Sequence, residues 1–98
     1  MHMEPLHFSG QIRYWNQDRP GGLAVVDVPA ALVPALGGLR QLRVRGTINS
    51  ADFVSNVMPA GGGRLALSVS KAMMKAAGVA VGGMAEFAVA RDGSDRRS

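Results

Sequence analysis

The chain has no cysteine among its 98 residues, which excludes a disulfide, a zinc thiolate and a thiol nucleophile. That usage makes a cytoplasmic location the expected one. Histidine is nearly absent as well, with only His2 and His7, and the acids Asp18, Asp27, Asp52 and Glu86 are scattered. No spacing of metal ligands results, and no metal or other cofactor is expected. Long apolar runs are also missing. The longest, Val28 to Leu39, is broken by Pro29 and Pro34 and is too short to span a bilayer. The start, Met1-His2-Met3-Glu4-Pro5, lacks the basic and apolar segments of a secretory signal, so none is expected. Aromatics are few: one Trp, one Tyr and three Phe. Charge is sparse, with eleven Lys/Arg against seven Asp/Glu and a net charge of +4. That excess permits an acidic partner without requiring one.

What is present is a folding chain. Apolar residues make up 47% of it, enough for a globular core. Its length suits one domain, burying roughly 60–70% of the surface exposed when unfolded.

Alternation organises the sequence. Leu6 to Trp15 reads as a strand with Phe8, Gly10, Ile12 and Tyr14 on one face. Asn16 to Gly22 is dense in turn formers. Leu23 to Val28 is a short apolar strand. Pro29 then opens a short helix over Ala30 to Leu36, interrupted by Pro34 and ended by Gly37-Gly38. Leu42 to Ile48 follows as a strand, with Leu42, Val44, Gly46 and Ile48 facing one way and Arg43, Arg45, Thr47 and Asn49 the other. A turn at Asn49 to Asp52 leads to a strand over Phe53 to Met58. Pro59 to Gly63 reads as a loose loop before the strand Arg64 to Val69. Ser70 is a good N-cap for a helix over Lys71 to Ala77, stopped by Gly78. Met84 to Arg91 is the last strand, with Ala85, Phe87 and Val89 inward. No internal repeat of useful length is visible.

Six strands with Gly-rich turns at short spacing predict a mainly β fold, a small closed six-stranded β-barrel with one or two short helices. The domain is placed at residues 6–92, with a flexible leader at 1–5, a disordered tail at 93–98 and fraying from Asp92 onward.

The segments LRVRGTINSADF and VMPAGGGRLALSVSKAMMKAAGVAVGGMAEFAVARD, with FSGQI and VDVPAAL before them, resemble the bacterial and archaeal family called domain of unknown function nineteen-oh-five. The resemblance runs roughly from Leu6 to Asp92. It implies a small closed β-barrel and no particular activity. Two positions depart from the pattern. Gly83 stands where the family usually has an acid, and Met73-Met74 replace a basic residue late in the helix.

No catalytic set is found. A lone His7 at a strand start is ordinarily a surface residue. Gly61-Gly62-Gly63-Arg64 leads into a strand rather than a helix, so the phosphate-cradling geometry is absent. The best polar constellation is Arg43, Arg45 and Asn49. Spacing of i, i+2 puts both guanidiniums on one face, about 7 Å apart, where two planar forks can grip a carboxylate or phosphate. Arg13 and Trp15 form a similar pair with an indole for stacking, and Arg64 and Lys71 complete the candidate binding residues. The ordinary alternative is a solvated outer face. The expected function is a non-enzymatic binding module for a small anionic ligand or a protein. The alternative is a nucleic-acid-binding barrel using a basic strand face, which so few aromatics weaken. Open strand edges leave pairing of two copies across a two-fold axis as a further expectation.

Overall fold

A computed structural model describes residues 5–92. The expected leader (apart from Pro5) and the tail at 93–98 lie outside the described residues. Seven strands form one antiparallel sheet: β1 (Leu6–Gln11), β2 (Arg13–Tyr14), β3 (Ala24–Val28), β4 (Leu42–Ile48), β5 (Ala51–Gly61), β6 (Arg64–Ser68) and β7 (Met84–Arg91). Their order is β1-β7-β4-β5-β6-β3-β2. The chain is mainly β, and the sheet curls into a half-barrel rather than the closed six-stranded barrel expected.

The first strand is the reason. At Ile12 the chain leaves β7: Ile12 N–H donates to the Gly83 carbonyl (3.0 Å), and Gly82 N–H donates to the Ile12 carbonyl (2.7 Å). From the next residue, Arg13, the chain is paired with β3 instead. One expected strand therefore becomes two, at opposite ends of the sheet. Gly10 permits the crossing, because a Cβ there would meet the Val26 side chain at 2.5 Å.

Alternation placed the inward faces of β4 and β7, whereas β3 and β6 bury residues of both faces. Val44, Ile48, Phe53, Val57, Leu65, Leu67, Ala85, Phe87 and Val89 are buried on the concave side with Ile12 and Leu36. Pro34 has no N–H to donate, and the segment 30–36 forms two 3-10 turns, Ala30–Leu32 and Pro34–Leu36, rather than an α-helix. Helix α1 (Lys71–Ala77) is capped as its sequence implies. Ser70 Oγ accepts from Met73 N–H (3.1 Å), and Gly78 takes the left-handed conformation at φ 70°. Strand β5 outruns its expectation, continuing through Pro59 to Gly61. The proline sits where the β5–β6 register shifts, a position that tolerates its missing N–H.

Pairing registers also reveal a repeat that the sequence hides. Val26 lies opposite Leu67 in the β3–β6 ladder, and Thr47 lies opposite Ala88 in the β4–β7 ladder. Each pair is 41 residues apart (26 to 67, 47 to 88). Shifting β3 and β4 by that offset gives β6 and β7. Pro29 falls on Ser70 and Gly37 on Gly78, so the 3-10 turns answer to α1. The long strand β5 answers to β1 and β2 together. Arg13↔Val25 matches Met58↔Ala66, and Tyr14↔Ala24 matches Pro59↔Leu65. The domain is thus two strand–strand–helix–strand units around a pseudo-two-fold axis between Val26 and Leu67. The first-strand offset is 45 residues (13 to 58), and the four additional residues lie in the loop between β2 and β3.

Candidate functional site

The expected binding residues do not form one site. Arg43 and Arg45 share the outer face of β4, and both reach Asp92. Arg43 Nε lies 3.3 Å from Asp92 Oδ2, and Arg45 Nη1 lies 3.9 Å from Asp92 Oδ1. The Asp92 side chain is 6% exposed, against 54% and 60% for the two arginines. Asp92 was expected to fray. Instead its N–H donates to the Arg43 carbonyl (3.0 Å), continuing the β4–β7 ladder by one residue.

Asn49 is engaged inside the fold. Its Nδ2 donates to the Ala77 carbonyl at the end of α1 (3.2 Å), and its Oδ1 accepts from Glu86 N–H (2.9 Å). Its backbone is left-handed at φ 47°, and Ser50 follows at φ 74°, so the two residues make the tight turn between β4 and β5.

Arg13 is bound to Asp27 by two parallel hydrogen bonds, Nε to Oδ2 at 3.0 Å and Nη2 to Oδ1 at 2.9 Å. These bonds hold the Asp27 carboxyl below its ordinary pKa, opposed by its partial burial and helped by the charges of Arg13 and Arg64. The same bonds raise the Arg13 pKa. Arg64 Nε donates to the Gly61 carbonyl of its own turn (3.3 Å). Trp15 and Lys71 lie elsewhere, on either side of the loop between β2 and β3.

Concavities follow the pseudo-symmetry. On the outer face, His7, Ala88, Thr47 and Asp52 form one cross-strand row. An open depression of about 590 Å³ lies on one side of it, lined by His7, Ser9 and Glu86 among others. Its counterpart of about 490 Å³ lies on the other, lined by Arg45, Asp52 and Val54. Among the described residues no three of His, Asp or Glu gather around one point where a metal ion could sit. A third cleft, of about 480 Å³, opens between the β2–β3 loop and α1, lined by Tyr14, Leu23, Met74, Val81 and Lys71. Of the residues lining this cleft the sequence pointed only to Lys71, and it gave no sign of the pairing of Asp92. A further signal was Leu23, an apolar residue directly after a turn-forming run.

The fold and these sites define a small mainly β domain, internally duplicated, with no helix among the described residues long and apolar enough to cross a membrane. The chain belongs to the family described as "Domain of unknown function (DUF1905)", whose profile matches residues 8–89. The resemblance read from the sequence is therefore correct. No curated protein matches the chain.

Proposed function

We propose that this domain is a non-enzymatic binding module that takes a small anionic ligand on the outer face of β4, at Arg43 and Arg45. The observation that carries the reading is the shared carboxylate. Asp92 anchors both guanidiniums, so two cations stand over one buried anion. More than half of each arginine side chain remains in solvent, with N–H groups left to donate. A planar guanidinium fork matches a carboxylate or phosphate in two parallel bonds. The residues opposite on β5, Val54 and Asn56, add no competing charge.

Thermal unfolding with inorganic phosphate, citrate and a single-stranded oligonucleotide tests the reading. A ligand at about a hundred times its Kd adds about 2.7 kcal/mol of stability, which raises Tm by on the order of 10 °C in a domain of this size. A shift with phosphate or citrate that Arg45→Ala abolishes supports the proposal. A response to the oligonucleotide alone, decaying steeply with salt, replaces it with nucleic-acid binding. No response to any of the three overturns it.

A further inference from the structure

The two halves of the domain share their strand registers, so the places where they diverge are informative. The largest divergence is the β2–β3 loop. Beyond the Trp15–Leu23 hydrogen bond (2.7 Å), residues 16–22 turn the chain, whereas the matching turn between β5 and β6 needs only Gly61 to Gly63. The longer loop supplies one wall of the cleft against α1. Across the pseudo-axis the offsets put Pro59 for Tyr14, Arg64 for Leu23, Val33 for Met74 and Arg40 for Val81. The counterpart surface therefore lacks the longer loop and has arginines where the cleft has Leu23 and Val81.

The cleft is chemically polarised. Tyr14, Leu23, Met74 and Val81 make its walls, and Lys71 stands at its edge. An adjoining depression of about 520 Å³ shares Gly21, Gly22 and Leu23 with it and is lined by Trp15 and Arg19. Neither is lined by an Asp or Glu. The Lys71 ammonium makes no hydrogen bond or ion pair among the described residues. Leu23 is 47% exposed and Trp15 39%, two of the five large apolar side chains left in solvent among the described residues. The volume lies in the range that small ligands fill.

We infer that the cleft between the β2–β3 loop and α1 binds a small amphipathic anion, an aromatic carboxylate. Its apolar body lies on Tyr14, Leu23 and Met74, and its carboxylate faces Lys71. Apolar walls favour the body by removing it from water. A single unpartnered ammonium with no competing acid selects the anionic head. This site is separate from Arg43 and Arg45, and either can fail without the other.

Trp15, the only tryptophan, lines the depression adjoining the cleft and serves as a nearby reporter. The test titrates 1-naphthoate into the protein and follows Trp15 fluorescence together with backbone amide shifts. The neutral isostere 1-naphthalenemethanol and acetate serve as controls. The expected result is saturable 1-naphthoate binding with shifts at Leu23, Met74 and Val81. Affinity for the alcohol should be at least about tenfold weaker, and acetate should leave the cleft unperturbed. Lys71→Met keeps the alkyl chain, lies on the surface and should cost 1-naphthoate about tenfold while leaving the alcohol unchanged. Leu23→Ala should weaken both ligands, and Arg45→Ala neither. Absence of saturable binding, shifts located elsewhere, or equal affinity of Lys71→Met and the parent for 1-naphthoate would overturn the inference.

Discussion

Val26 of β3 faces Leu67 of β6 on the pseudo-two-fold axis, and every strand pairing on one side of that contact has its image on the other. The turn at Asn49-Ser50 thereby corresponds to the place where the end of β7 lies beside the start of β1, Leu6 being opposite Val89. A circular permutant follows. Joining residue 92 to residue 5 through a short glycine-rich linker and opening the chain between Asn49 and Ser50 should give a cooperatively folding β domain. Circular dichroism and urea unfolding check it, and a permutant without a cooperative transition would contradict the equivalence.

Gly46 is the image of Phe87 and cannot imitate it. Phe87 stacks on Phe8 with ring centroids 5.1 Å apart, while on the other side Phe53 lies opposite a glycine. A Cβ at position 46 would overlap the Ala88 carbonyl oxygen of β7. Gly46→Ala should therefore destabilise the fold by about 3 kcal/mol, at the upper end for overpacking. Urea denaturation measures this, and a loss below about 1 kcal/mol would show that β4 and β7 can separate at low cost. The glycine of the Arg45-Gly46-Thr47 motif is thus explained by strand packing, without a ligand.

Asn49 joins three elements through one amide, at a left-handed backbone position. Asn49→Ala removes two hydrogen bonds and replaces asparagine, which tolerates the left-handed region, by alanine, which does so less well, and should cost about 2 kcal/mol. Asn49→Gly removes the same bonds but tolerates the backbone and should cost less. Equal losses for the two variants, measured by chemical denaturation, would show that strain contributes nothing.

Asp27 should make stability depend on acid. Its carboxyl titrates below the ordinary value because Arg13 hydrogen-bonds the charged form. A depressed native pKa means that the pair stabilises the fold above the unfolded pKa of about 4 and ceases to do so as pH falls through the native value. The effect is modest, about 1 kcal/mol or less, because Asp27 is 45% exposed. Asp27→Asn should be less stable than the parent at pH 6, with the gap closing below about pH 4. A gap constant from pH 6 to pH 2 would rule out the ion pair as its source.

Local patterns in the sequence determined the faces of β4 and β7, the Ser70 cap and the Gly78 stop. Each depends on neighbours within a few residues: a period of two along a strand, and a hydroxyl three residues before an N–H. Arg43 and Arg45 on one outer face were legible for the same reason. Tertiary structure decided the rest. The first strand divides because Ile12 still bonds Gly82 and Gly83, seventy residues on, at the end of the β1–β7 register, while Arg13 and Tyr14 pair with Val25 and Ala24 of β3. Asp92 is buried because β7 pairs with β4 and carries it beneath two arginines, a contact that residues 91–98 alone do not announce. The duplication stayed hidden because buried positions need only apolar side chains of workable size, so Val26 and Leu67, or Gly46 and Phe87, can fill matching places without matching in sequence.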